Sequence, residues 1–229
     1  MGGGEPVLCN ELACIMKFVV DNDLPCFINT NATLFSNIIA GMLKENRATV
    51  QTSPDSGSAE VFRNIKGVDL HMKVWENIRE YCTINPEKFI VKYVVMPENW
   101  QIDEFISFAE NCVNAGVRNV VIMPELTSFW QSQNYIAQID KMLELHSIVS
   151  NKGISVNIPT ENFFNDTQKN YLDFRCGEHN RQIQNLSSQL EQSRKQISGL
   201  HQELDSVLRS RSWRFTKLIR DVRLMLTNR

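Results

Sequence analysis

The chain has 229 residues, 42% of them hydrophobic, with 24 basic and 26 acidic side chains for a net charge of −2. That apolar content excludes general disorder and suits one domain of ordinary size with an appendage. No apolar run approaches the ~20 residues that a membrane-spanning helix requires, and no signal peptide is read at the start, so the expected location is cytoplasmic.

The chain opens with Gly2-Gly3-Gly4-Glu5-Pro6. Glycine backbone adopts positive φ and lets a ligand approach closely, Glu5 supplies an acceptor beside it, and Pro6 suits the first turn of a helix. The same residues also read as a mobile end. Leu8, Leu12, Ile15, Met16 and Val19 recur at helical spacing. Cys26-Phe27-Ile28 is a short strand, closed by Asn29-Thr30-Asn31. A helix follows from Leu34 to about Asn46, then a strand over Ala48–Thr52 and the turn-rich Ser53-Pro54-Asp55-Ser56-Gly57. Ala59–Ile65 forms a short helix before Lys66-Gly67, and Val74, Trp75, Ile78 and Tyr81 mark a longer one. Phe89–Met96 is a strong strand ended by Pro97, and the helix carrying Phe105, Phe108 and Cys112 stops at Gly116. Val120–Met123 is a further buried strand, followed by a helix from about Tyr135 to Asn151 and a strand over Ile154–Ile158.

Continuous apolar strands alternating with amphipathic helices predict an α/β fold with a parallel, helix-covered sheet. In a (β/α) barrel of TIM type, chemistry sits at the carboxyl ends of the strands. The polar and glycine-rich clusters fall there: Gly2–Glu5, Asn29–Asn31, Ser53–Gly57, Pro97–Trp100 and Pro124–Thr127. A doubly wound open sheet fits the same alternation.

The order and spacing of Gly3-Gly4-Glu5-Pro6, Thr30-Asn31-Ala32, Ser53-Pro54-Asp55-Ser56-Gly57, Ile65-Lys66-Gly67 and Val121-Ile122-Met123-Pro124-Glu125 resemble the radical S-adenosylmethionine (SAM) enzymes over about residues 1–160. The resemblance implies a partial (β/α) barrel that holds SAM beside a [4Fe–4S] cluster and generates a 5′-deoxyadenosyl radical. The cofactors would carry that chemistry, while the protein binds and orients. By motif, Gly3, Gly4 and Glu5 would receive the amino group of the SAM methionine moiety. Asn31 and Ser53 would also contact the cofactor, and Met123 would pack near its adenine. Thr30 and Lys92 would face substrate, Lys92 toward an anionic group. Plainer roles remain open at each: turn or cap residues at Thr30, Asn31 and Ser53, a core methionine at Met123, and a lysine snorkelling to the rim at Lys92.

One departure is large. The family's Cys-x3-Cys-x2-Cys loop is absent, and Cys9, Cys14, Cys26, Cys82, Cys112 and Cys176 match no ligand spacing, so no metal-binding residue is assigned. They read as reduced thiols, several of them buried. The expectation is a barrel truncated before its cluster loop and inactive alone. His71 and His146 read as structural or solvent-facing.

After Cys176-Gly177 the pattern becomes a heptad: Ile183, Leu186, Leu190, Ser193, Ile197, Leu200, Leu204 and Val207. This predicts a coiled coil and self-association. From Arg209 the only acidic residue is Asp221, set against Arg209, Arg211, Arg214, Lys217, Arg220, Arg223 and Arg229. Ser210-Arg211-Ser212-Trp213-Arg214-Phe215-Thr216 resembles the Ser-x-Ser-Trp-Arg-x-Thr tail of bacterial glycosyltransferases and methyltransferases of surface-polysaccharide clusters. A cationic amphipathic helix of this kind lies on an anionic membrane or in a partner's groove. Its charge is too confined to predict nucleic-acid binding.

The predicted organisation is thus a truncated radical-SAM-like barrel (1–160), a linker (161–180), a coiled coil (181–208) and a short basic amphipathic helix (209–229) contacting the inner face of the membrane peripherally. The substrate would be a small molecule, peptide or glycan, with surface glycan synthesis as the setting. The rival prediction is a non-catalytic scaffold working through its coiled coil and basic tail.

Overall fold

The computed structural model describes residues 4–126, 135–159 and 164–209. It divides into two compact units, Met1–Asp173 and Phe174–Arg229.

In the first unit, five strands form one sheet: β1 (Cys26–Asn29), β2 (Ala48–Thr52), β3 (Phe89–Val95), β4 (Asn119–Pro124) and β5 (Ser155–Asn157). Every neighbouring pair is parallel, and the spatial order β1-β2-β3-β4-β5 is the chain order. A doubly wound sheet would need the order to reverse at a switch point, and this one never does. With right-handed crossovers always stepping the same way, the connecting helices fall on one face. This is a partial (β/α) barrel.

The connecting helices are α1 (Leu12–Asp21), α2 (Asn37–Lys44), α3 (Ala59–Lys66), α4 (His71–Ile84), α5 (Ile102–Ala115) and α6 (Tyr135–Ser150). Strand burial alternates strictly, for example buried at Phe89, Val91, Tyr93 and Val95 and half-buried at Ile90, Lys92 and Val94. The covered face packs Val50, Phe89, Tyr93 and Ile122 against Ile39, Ile78, Phe105, Phe108 and Ile139, all fully buried. Tyr93 and Phe108 meet edge to face at 4.6 Å, and Tyr81 stacks on Phe89 at 5.4 Å. The other face, with Phe27, Asn29, Thr49, Gln51, Lys92, Val121 and Met123, is half-buried to exposed. In a barrel that face is the interior.

Two boundaries differ from the periodicity. The helix expected from Leu34 begins at Asn37, because the Ser36 hydroxyl accepts the Ile39 N–H and so caps it there. Leu8 belongs to a separate 3-10 turn (Pro6–Leu8), with Glu5 as its N-cap. Of the apolar face expected for the first helix, only Leu12 is buried, while Ile15 is 46% exposed.

The second unit is carried by helix α7, which begins at Asp166, within the stretch read as linker, and runs to Arg209. The basic amphipathic helix expected after Arg209 lies outside the described residues.

Candidate functional site

A cleft of about 380 Å³ opens at the carboxyl ends of β1, β2 and β3. Every residue lining it is polar or glycine: Gly4, Glu5, Asn29, Thr30, Asn31, Gln51, Thr52, Ser53, Lys66 and Lys92. The fold thus gathers six of the residues singled out in the sequence, Gly4, Glu5, Thr30, Asn31, Ser53 and Lys92. Gly3 lies outside the described residues. Met123 is on β4, in register with Val94, on the same open face as Lys92 but beyond the lining of the cleft.

Glu5 ties the start of the chain to the end of β1. Its carboxylate accepts the Thr30 hydroxyl at 2.6 Å and the Asn31 backbone N–H at 2.6 Å. Both are charge-assisted, and together they fix Glu5, and with it the adjacent Gly4, at the cleft. The Thr30 hydroxyl also accepts from Ala32 N at 3.1 Å, and Thr30 is only 5% exposed. Asn31 Oδ1 accepts from both the backbone and the hydroxyl of Thr33, an Asx turn. Thr30 and Asn31 therefore build the loop as well as line the cleft. Gly4 has φ +132, and a Cβ there would meet nothing within 4 Å, so its backbone is open to a ligand.

The Ser53–Gly57 loop is far more fastened than a surface turn. Asp55, 4% exposed and at φ 54, accepts the Val94 N–H at 2.8 Å and pairs with Lys66 at 2.6 Å. The Asn99 amide, fully buried, donates to Asp55 O at 2.9 Å and Val94 O at 2.8 Å, while its oxygen accepts Met96 N at 2.9 Å. Tyr93 donates its hydroxyl to Asn99 O at 2.8 Å. Burial pushes the Tyr93 phenol well up, with the Glu104 and Asp55 charges adding to it. Glu104 accepts the N–H groups of Gly57 at 2.7 Å and Ser58 at 3.1 Å, and Asn111 donates to Gly57 O at 2.8 Å. A Cβ on Gly57 would overlap the Glu104 carbonyl and come within 2.7 Å of Phe108 N, so the loop lies directly on α5.

That knot decides the electrostatics of the cleft. Lys66 is neutralised by Asp55, and Glu5 is engaged by three donors, the Thr30 hydroxyl and the N–H groups of Asn31 and Val7. Among the described residues, Lys92 has no ion-pair partner and the Ser53 hydroxyl has no hydrogen bond. Among the described residues, the cleft therefore offers Lys92 as an unpaired cation beside amides and hydroxyls, with Gln51 Nε2 donating to Asn29 Oδ1 at 3.1 Å. Such a set suits a polar ligand bearing an anionic group.

Sequence reasoning missed Gln51, Lys66, Asn99 and Glu104. For Gln51 the signal was available in the strand alternation that puts it on the face of Lys92. Lys66 and Asn99 stood within Ile65-Lys66-Gly67 and the Pro97–Trp100 cluster, but nothing local gave their partners or that of Glu104, which are distant in sequence. His71 opens α4 and accepts the Trp75 indole N–H at 3.1 Å. Burial lowers its pKa against an opposing pull from Glu104 and a backbone contact with Gly57, which is a structural role.

The [4Fe–4S] cluster does not fit the residues present. Among the described residues, no group of three His, Cys, Asp or Glu side chains could hold a metal ion. Cys9 and Cys14 are exposed, and Cys82 and Cys112 are buried. Burial pushes Cys82 up to about 12 and Cys112 well above the ordinary thiol value, the opposite of an iron-binding thiolate.

No model of a known protein family matches the chain. A curated relative, the probable GTP 3′,8-cyclase of Sulfurisphaera tokodaii, is 24% identical over 163 residues, 70% of this chain and 51% of the cyclase. The chain spans about half the length of that relative. Among solved structures, SuiB of Streptococcus suis bound to S-adenosylmethionine superposes with a TM-score of 0.55 at 15% identity, covering 70% of this chain and 36% of SuiB. A domain of the pyruvate-formate lyase-activating enzyme of Bacteroides vulgatus gives a TM-score of 0.54 at 14% identity, covering 70% of this chain and 97% of that domain. With its parallel sheet, one-sided helices and cleft at the strand ends, the chain has the partial (β/α)-barrel fold of these radical SAM-type neighbours.

Proposed function

We propose that this chain is the SAM-holding part of a radical SAM-type barrel. The observation that carries the proposal is the convergence of Gly4, Glu5, Ser53 and Lys92 on one polar cleft at the carboxyl ends of adjacent strands. Gly4 backbone and the Glu5 carboxylate would receive the cofactor's ammonium, since carbonyl and carboxylate oxygens are its natural acceptors. Ser53 and the Asn31 amide would hold its polar groups, and Met123 its apolar base. Gly3 extends the same glycine run. Lys92 would take an anionic group of the substrate, with Thr30 shaping the loop beneath. When bound beside a reduced [4Fe–4S] cluster, SAM supplies a 5′-deoxyadenosyl radical. The thiols of this chain do not provide that cluster, so the chain alone does not turn SAM over. A complete enzyme would modify a small-molecule, peptide or glycan substrate, and the Ser-Trp-Arg tail points to surface glycan synthesis.

Titration calorimetry with SAM tests the reading. A dissociation constant of roughly 10–100 μM is expected, weakened at least fivefold by Ser53→Ala or by Glu5→Ala. No heat of binding at millimolar SAM refutes it. Release of 5′-deoxyadenosine after reconstitution with iron, sulfide and reductant would refute the claim of inactivity.

A second reading has its own observation. Helix α7 exposes a regular row of large apolar residues, Leu186, Leu190, Ile197, Leu200 and Leu204 among them. A scaffold acting through that helix, with residues 209–229 docking on an anionic membrane, would associate and bind vesicles without affinity for SAM.

A further inference from the structure

Between Leu186 and Leu204, every heptad position on one stripe of α7 is apolar except Ser193. Exposure along the stripe is high: Leu186 64%, Leu190 56%, Ile197 55%, Leu200 64% and Leu204 55%. Scattered exposed leucines need no explanation, but a row at alternating steps of four and three does, because it is the seam that a second helix covers. We propose that the occupant is a second copy of this chain, and that the two copies of α7 pair in parallel and in register as a two-stranded coiled coil. This inference rests on the seam alone, and neither SAM binding nor its absence bears on it.

Charge selects the occupant and its direction. With Leu190, Ile197 and Leu204 at a and Leu186, Ser193 and Leu200 at d, the flanking e positions hold Ser187, Arg194 and His201, and the g positions hold Gln189, Gln196 and Glu203. The flanks are nearly neutral, because charges such as the Glu191–Lys195 pair, 3.0 Å apart, lie on the outer b and f positions. In a parallel pair each g residue meets the e residue five places on in its partner. Gln189 then faces Arg194 and Gln196 faces His201, so no like charges oppose each other. In the antiparallel register that uses every layer, Arg194 falls beside its own copy. The serine at position 193 favours register as well, since only in-register parallel pairing sets the two small hydroxyls together and keeps every other layer apolar on both sides. Ile197 at a with Leu200 at d is the combination that favours two strands.

The test uses the full chain. Sedimentation equilibrium at tens of micromolar protein is expected to give twice the monomer mass of 26.4 kDa. A monomer, or a trimer, overturns the proposal. Leu190→Glu with Leu200→Glu is expected to weaken the dimer at least tenfold while circular dichroism keeps the strand and helix signal, because both side chains are exposed in the single chain. A dimer unaffected by that pair of changes overturns the seam. Direction is read from Gln189→Glu, which places a carboxylate against Arg194 of the other copy in the parallel dimer and against Glu203 in the antiparallel one. Parallel pairing predicts about threefold tighter association at low salt, with the gain lost in 1 M salt. Weaker association refutes the parallel arrangement.

Discussion

Replacing Asn99 by alanine removes three hydrogen bonds from a side chain that is fully buried. Asp55 O loses its donor at 2.9 Å, Val94 O loses one at 2.8 Å, and Met96 N loses its acceptor at 2.9 Å. A buried polar group left unpaired costs about 1–3 kcal/mol. If only Asp55 O and Met96 N are stranded, the change costs about 2–6 kcal/mol, a large share of the roughly 5–15 kcal/mol that holds an ordinary domain folded. The damage should centre on the loop after β2, because the same knot sets the Asp55–Lys66 pair and hence the position of Ser53. Urea unfolding followed by circular dichroism measures the loss, and hydrogen exchange at the Val94 amide, held by Asp55 at 2.8 Å, reports it locally. A loss below about 1 kcal/mol would mean that water or a shifted backbone replaces all three bonds, and the view of Asn99 as the fastening of the site would be wrong.

Gly57→Ala should destabilise the chain by about 1–3 kcal/mol or more through backbone overlap with α5, read as a lower urea midpoint; an unchanged midpoint would refute the close approach. Glu5→Ala should leave the core intact but speed hydrogen exchange at the Asn31 amide by about tenfold or more, because that N–H loses its carboxylate. Thiol reagents at neutral pH should label Cys9 and Cys14 readily while sparing Cys82 and Cys112 until the protein unfolds. The buried thiols also set an alkaline limit. Their pKa values are raised by burial, so the unfolded chain releases protons first as pH climbs past the ordinary thiol value of 9.0. The stability these neutral thiols contribute is whole below that value and is lost as pH rises toward about 12, the folded value of Cys82. Cys82→Ala should flatten that decline, and an unchanged pH profile would count against the burial argument.

Strands and helices were legible in the chain because they are written in neighbouring residues. The apolar run Phe89–Met96 ended by Pro97, and the helix stopped by Gly116 at φ 72, are local statements that the fold repeats almost to the residue. Half of the site was legible for the same reason: glycine, serine and asparagine clusters fall at strand ends, and that is where Gly4, Asn31 and Ser53 lie. Periodicity could not say whether the sheet is wound in one direction or two. Strand order depends on which edges meet, and only the pairing β1-β2-β3-β4-β5 decided it. Nor could it reveal that Lys66 is spent on Asp55 while Lys92 is unpaired among the described residues, or that Asn99 and Glu104 reach back over 44 and 47 residues to hold the loop. Those bonds are made across the sheet rather than along the chain. A sequence read in short windows records what each residue prefers, and only packing fixes which distant partner satisfies it.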